Sequence, residues 1–384
     1  MLRLALHKGA LMTVDIHGFT TPTFAPLRDA FAACFTLGQH GGSVAVVHRG
    51  ELVAELWGGY SDAAQDQSWR QDTLVNVWST TKGIAAIAMA MLVDRGLAAY
   101  DDPVAKHWPE FAANGKAGIT LAQALSHQAG VNGLSVPMDL RGLYDGTPYA
   151  EALAAMAPLW PPGSRSVYHS ISLGTLIAEP LRRITGESLG SFLAREIAAP
   201  LGADIFVGLP ESEEPRVADL IEGPKTNDGV LETLASPYPQ AWRNPSIRPT
   251  EPNTRAWRAA EIPGANGHAT AKALALIYGD LVSGASKLLS PQALAQATLP
   301  RFEGVDAASQ TPSVFAAGFS LLPPNGRAGA FGHSGWGGAF AFADPTEGFG
   351  IGYTTNQMLG FDDGIDPRRA LLVDTLYRLL DAQK

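Results

Sequence analysis

The stretch "NVWSTTKGIAAIAMAMLVDRGL" (residues 76–97) sets a serine and a lysine three residues apart at the head of an otherwise apolar helix. Gly96 suits a left-handed helix end, so the helix is expected to stop there. With 22 serines and 8 lysines in the chain, about half of one S-x-x-K arises by accident, so the pattern alone is weak. Its position adds to it. Ser79 stands where an N-cap would, and a cap followed by an exposed lysine is the plain structural reading. That reading leaves Lys82 facing the positive end of the helix dipole. Catalysis accounts for both residues. Positions i and i+3 share a helix face, so Lys82 reaches the Ser79 hydroxyl. Burial and the helix N-terminus both lower a lysine pKa, making a neutral amine available as a base. The Ser79 backbone N–H would also point at an oxyanion on an attacked carbonyl.

Bulk composition narrows the setting. The chain has 384 residues, 46% hydrophobic and 17% charged, enough for roughly two to three domain-sized units. Such a chain buries a large core without staples. A net charge of −9 and no dense Lys/Arg block speak against a nucleic-acid partner. The single Cys34 excludes an intramolecular disulfide framework and multi-Cys metal sites, and reads as a buried small hydrophobe. No run of about 18 apolar residues is present to span a bilayer. The opening "MLRLALHKGALMTVDIHG" is broken by His7, Lys8 and Gly9 and followed by no small-residue cleavage site. Residues 1–18 read as a loose tail, with Met12 as an alternative start, and the protein is expected to be cytoplasmic.

Around the quoted helix, "GGSVAVVHRGELVAELWGGY" (residues 41–60) reads as a β-hairpin turning at His48-Arg49-Gly50. Residues 101–264 read as helices and Pro-rich loops, with helical periodicity over 170–184 and 188–198, and again over 269–283. Beyond them "PSVFAAGFSLLP", "AGAFGHSG", "GGAFAFADP" and "GFGIGYTTNQ" are short strand-like runs, and a terminal helix begins near Asp366. Closely spaced strands with short turns make an antiparallel meander, not βαβ units. The expected fold is α/β in the α+β sense: an antiparallel sheet flanked by helices, built from residues 19–97 and 264–384. A mostly helical second domain over 98–263 carries the long Pro-rich loops.

A serine–lysine hydrolase needs a second proton-transfer group and a second oxyanion donor. "PPGSRSVYHSISLG" offers Tyr168 just before a helix, where a packed aromatic is the plain alternative. "FGHSGWGGAFAFADP" ends one strand at His333-Ser334-Gly335 and starts the next at Trp336; the plain alternative is a glycine-rich hairpin. There Gly335 would permit close approach of a substrate, and Gly337-Gly338 would keep the edge open.

S-T-T-K at 79–82, Y-H-S at 168–170 and H-S-G at 333–335 together resemble the three motifs of the serine β-lactamase and penicillin-recognising superfamily. "LSHQAGVNGL" (125–134) and "GANGHATA" (264–271) are similar to segments of its class C-like branch. The nearest resemblance is to the family VIII carboxylesterases, from about Phe19 to the end of the chain. The resemblance implies a class C β-lactamase-like fold, Ser79 as nucleophile, Lys82 as its base and Tyr168 as proton shuttle. It implies an oxyanion hole from the N–H groups of Ser79 and Trp336, with Ser170, His333, Ser334, Gly335 and Trp336 lining the substrate site. Acyl transfer through an acyl-enzyme needs no metal and no cofactor. Two departures bear on substrate: Ser170 stands where class C enzymes have Asn, and His333-Ser334-Gly335 replaces Lys-Thr-Gly. Losing a permanent ammonium weakens the hold on a substrate carboxylate. The expected activity is therefore a carboxylesterase on small, short-acyl esters. Its rivals are an amide-directed hydrolase on the same machinery (weak β-lactamase, D-amino-acid peptidase or oligoamide hydrolase) and a non-catalytic ligand-binding module.

Several features read as decoys. Gly186-Glu187-Ser188-Leu189-Gly190 matches G-x-S-x-G, but the segment before it is helical, so Gly186 reads as a C-cap and Ser188 as an N-cap. Nine scattered histidines without an H-E-x-x-H pair argue against a metal site. His127 and His268 are expected to fix loops. "GFGIGY" reads as a strand, since no helix follows to make a dinucleotide fingerprint. Trp78, Trp160, Trp242 and Trp336 are candidates for an acyl-pocket wall, with packing the plainer role for each.

Overall fold

The computed structural model describes residues 14–228, 231, 235–323, 325–360 and 365–384. Its centre is a six-stranded antiparallel sheet. In chain order the strands are β1 (Ile16–Thr20), β2 (Gly41–His48), β3 (Glu51–Gly59), β4 (Phe331–Ser334), β5 (Phe340–Asp344) and β6 (Phe349–Thr355), arranged β1-β3-β2-β6-β5-β4. The N-terminal hairpin and the C-terminal meander thus share one sheet, joined where β2 pairs with β6. The β2–β3 loop is only Arg49-Gly50, both at positive φ, as a two-residue hairpin with the right-handed twist requires.

The sheet has a large-residue face and a small-residue face, because side chains alternate along a strand. Val44, Val46, Phe340, Phe342, Phe349, Ile351 and Tyr353 point one way, into a core with helices α1 (Pro26–Thr36) and α5 (Pro367–Asp381). Each such side chain, fully buried, contributes about 1.5–3 kcal/mol of hydrophobic stabilisation. Ala45, Ala341, Ala343, Gly350 and Gly352 point the other way. That face is small so that helices can lie close to it. A methyl group on Gly350 would sit 2.2 Å from the Gly279 nitrogen, and one on Gly352 2.3 Å from the Ala271 carbonyl oxygen. Both partners belong to helix α4 (Ala271–Leu281).

Helix α2 (Thr80–Asp94) lies on this same side, and Thr80 through Leu92 are all buried. A helix apolar all round has to be enclosed. It packs against β4 and against helix α3 (Ser172–Thr185), whose buried positions include Leu173, Leu176, Ile177 and Leu181. Its C-terminus closes as expected: Gly96 has φ +69, and the Gly96 and Leu97 amides donate to the Val93 and Leu92 carbonyls.

The structure departs from the sequence reading in three places. The tail assigned to residues 1–18 lies outside the described residues up to 13, but Ile16, His17 and Gly18 belong to edge strand β1. Five edge-strand residues, none of them buried, leave no alternating apolar pattern to detect. "PSVFAAGFSLLP" does not enter the main sheet as a strand; Pro312–Phe315 pairs with Phe302–Val305 in a separate hairpin. The middle segment also contributes short strands, with Ile205–Phe206 joining Val75–Asn76 and His268–Ala269 in a three-stranded sheet.

Candidate active site

Ser79 occupies the N-cap position of α2, yet its side chain makes no cap hydrogen bond. The first amides of the helix are satisfied otherwise. Thr80, Thr81 and Lys82 donate to the carbonyls of Val77, Trp78 and Ser79, a 3₁₀ turn that tightens the helix start. The Ser79 hydroxyl is thereby released for other partners. Trp78, just before it, is held at φ +46, a left-handed conformation that costs an L-residue roughly 1–2 kcal/mol. Tertiary contacts hold it there: its indole packs 5.3 Å from that of Trp257 and 4.9 Å from that of Trp336, ring centre to ring centre. The Thr81 hydroxyl donates to the Trp78 carbonyl at 2.5 Å.

Lys82 is fully buried. Its Nζ is 2.8 Å from Ser79 Oγ, 2.6 Å from the Ser170 carbonyl oxygen and 2.7 Å from the Gly264 carbonyl oxygen. Nζ donates to all three oxygens, two of them main-chain carbonyls and none of them a carboxylate. Burial holds the Lys82 pKa well below the usual lysine range.

Tyr168 adjoins the pair, its hydroxyl interacting with the Ser79 side chain. Lys82 Nζ lies 5.1 Å from the centre of its ring. Burial raises the Tyr168 pKa above that of a free phenol, outweighing the Ser79 hydrogen bond. Burial thus favours the uncharged form of both the tyrosine and the lysine.

The tyrosine loop is braced by groups that sequence reasoning placed only loosely. His127, at φ +64, packs its ring 4.7 Å from that of Tyr168, and its Nδ1 accepts the His169 amide at 3.0 Å. Asp306, unnoticed in the sequence, is buried behind the loop; its carboxylate accepts from the Ala308 and Ser309 amides and the Ser309 hydroxyl. His268 lies buried in a short strand pairing with Asn76, away from the tyrosine loop. The Gly264 carbonyl was also missed, although "GANGHATA" stood out, because a backbone acceptor has no side-chain signature.

The third motif lies along β4 and the turn after it. His333 is buried, with Nδ1 3.0 Å from the Ser334 carbonyl oxygen and its ring centre 6.2 Å from that of Tyr168. Burial, with Lys82 as a second cause, pushes its pKa down to about 3, so it is neutral near pH 7. Ser334, Gly335 and Trp336 are half-buried at the rim. Packing also demands the glycine at 335: a methyl group there would meet the Val77 carbonyl oxygen at 2.2 Å. This contact sets the Gly335 backbone against the segment that leads into α2. Among the described residues, neither the Ser79 nor the Trp336 amide donates to a partner within the chain. Ser170 is buried and presents its carbonyl to Lys82.

Trp336 and Trp242 are half-buried with ring centres 5.1 Å apart, whereas Trp78 is buried beneath them. Trp160 packs on Tyr238 and His169 behind the tyrosine loop instead of joining this wall. Ser188 is an N-cap, accepting from the Ser191 amide and bonded to Glu261. A cleft of about 610 Å³ opens at the far end of α2, lined by Asp94, Leu281, Leu288, Pro291, Leu294 and Phe331 among others. It includes none of the groups above.

The sequence profile of the Beta-lactamase family matches residues 27–375. The chain is 33% identical over 369 residues to the esterase/beta-lactamase LipL of Mycobacterium tuberculosis, covering 92% of this chain and 86% of that one. It superposes on the crystal structure of a family VIII carboxylesterase with a TM-score of 0.88 and 40% identity, over 95% of this chain and all of that one. A penicillin-binding protein homologue from Caulobacter crescentus aligns with a TM-score of 0.86 and 40% identity, over the same shares.

Proposed function

We propose, from the premise that this chain belongs to the β-lactamase family, that it is a carboxylesterase acting on small, uncharged, short-acyl esters through an acyl-enzyme on Ser79. The observation that carries the reading is the buried Lys82 amine, 2.8 Å from Ser79 Oγ with two carbonyls as its other partners. As Ser79 Oγ bonds to the substrate carbonyl carbon, its proton passes to Lys82, and the carbonyl π pair becomes an oxyanion facing the Ser79 and Trp336 amides. Collapse of that intermediate breaks the ester C–O bond. The Tyr168 hydroxyl protonates the departing alkoxide, and the Lys82 ammonium restores the phenol. Water then attacks the acyl-enzyme by the same route in reverse, releasing the acid and free Ser79.

Uncharged esters are favoured because His333 is neutral where a lysine would offer a permanent cation. A weaker β-lactam hydrolysis beside the esterase activity is supported by the dual naming of the Mycobacterium tuberculosis relative. The test is turnover of p-nitrophenyl butyrate with acid quench and mass mapping of the acylated peptide. An acyl group on the Ser79 peptide with rapid turnover is expected; an adduct elsewhere, or none, overturns the reading.

A further inference from the structure

Arg368 sits in the first turn of α5, fully buried, and never reaches the solvent side of the site. All three guanidinium nitrogens are nonetheless engaged. Nε and Nη2 form a two-point pair with the Asp366 carboxylate at 3.0 and 2.7 Å. Nη1 donates to the Gln357 carbonyl at 3.0 Å, and Nη2 also donates to the Gly337 carbonyl at 3.0 Å. Replacing a buried ion pair by apolar residues is often neutral or stabilising, so stability alone is a poor explanation for this one. What the pair grips is more informative. Gly337 follows Trp336 in the turn whose Gly335 abuts the Val77 carbonyl, two residues before Ser79.

The turn is held from two directions. The Trp336 indole donates to the Thr226 carbonyl at 2.7 Å, while Arg368 holds the Gly337 carbonyl. Both anchors tie to one short strand, Gln357–Met358: Arg368 through the Gln357 carbonyl, and Thr226 through its hydroxyl to the Met358 carbonyl at 3.0 Å. The glycines follow from this packing, not from a need for an open edge. Gly338 has φ +129, and a methyl group on it would lie 2.4 Å from Arg368 Nη2 and 2.7 Å from Asp366 Oδ2.

We propose that Arg368, oriented by Asp366, is a positioning residue for the reaction: it fixes the 334–338 turn so that the Trp336 amide stays aimed at the oxyanion. This rests on the reading of Ser79 as nucleophile and of Trp336 as an oxyanion donor. Misplacing a reacting group by about 1 Å can cost 10²-fold, and removing one oxyanion donor costs 10²–10³-fold. A loosened donor should fall within the same range, and the loss should appear in kcat.

The experiment compares full-length wild type with R368K and G338A, each checked for folding by circular dichroism and melting temperature. Lysine keeps the charge but lacks the planar fork that grips Asp366 at two points; the G338A methyl pushes on an intact pair, so a folded variant is available if R368K fails to fold. With p-nitrophenyl butyrate, kcat should drop on the order of 10- to 100-fold, with KM within about threefold. The inhibition constant of an alkyl trifluoromethyl ketone, which forms an oxyanion on the serine, should rise in proportion to the loss in kcat/KM. A folded variant with unchanged kcat, a loss carried by KM, or an unmoved inhibition constant overturns the positioning role alone. Failure of wild type to acylate Ser79 overturns the underlying mechanism instead, and the positioning role with it.

Discussion

Lys82 Nζ stands 2.8 Å from Ser79 Oγ with main-chain carbonyls as its other two partners, and among the described residues no carboxylate pairs with it. A cation there would have lost its water without gaining an anion, so the neutral amine is the form that the site favours.

Ser79→Ala should abolish turnover of p-nitrophenyl butyrate, and Lys82→Ala and Tyr168→Phe should each lower kcat on the order of 10²-fold or more, the usual scale of lost proton transfer. Ser188→Ala is the control. It removes an N-cap, at a cost of about 1 kcal/mol in urea unfolding, with kcat unchanged. Wild-type rates in the first set, or loss of activity in the control, would reassign the nucleophile.

The pH–rate profile follows from the direction of two shifts. Lys82 works as a base only when deprotonated, and burial places that deprotonation well below the ordinary 10.5. The rate should therefore rise with pH through the lowered lysine value and reach its plateau before 10.5. Tyr168 is raised above the ordinary 10.0, so the plateau should extend beyond that pH before the shuttle loses its proton. An acid limb in kcat/KM centred near the ordinary lysine value of 10.5 would remove Lys82 as the base.

His333→Lys should restore a cation beside the reacting carbonyl. The ratio of turnover on a carboxylate-bearing ester to turnover on its neutral analogue should rise about tenfold, equivalent to about 1.4 kcal/mol. Parallel changes on both substrates would separate position 333 from substrate charge.

His127, His169, His268 and His333 are buried in neutral form. His169 is pushed down to about 4, His268 and His333 to about 3, and His127 well below 6.5, burial being the first cause in each. The unfolded chain takes up these protons near pH 6.5 while the folded chain refuses them. Their contribution is complete above about 6.5 and is lost as pH falls toward about 4, at about 1.4 kcal/mol per pH unit for each histidine. Urea midpoints at neutral pH and two units lower measure this directly. Equal midpoints would mean that the histidines are protonated in the folded protein.

Much of this was legible because it lies in local patterns. The S-x-x-K helix, the hairpin at Arg49-Gly50 and the C-terminal meander are runs of neighbouring residues whose periodicity declares them. What escaped depends on contacts between distant segments. No side-chain type marks Ser170 or Gly264 as lysine partners, because each offers only a carbonyl. Gly335 and Gly338 were noticed, but the reason for them lies at Val77 and at the Arg368–Asp366 pair. Trp78 shows no sign in the sequence of its left-handed backbone, which surrounding indoles maintain.

The partners of Lys82 lie 88 and 182 positions further along the chain. In a partly assembled chain this side chain is an ordinary solvated ammonium, unable to take a proton from serine. The protein acquires its base only when two remote segments have closed around the helix that carries it. Recovery of hydrolysis during refolding would then time the arrival of the last of those segments, whereas recovery of helical content would time only the local ones.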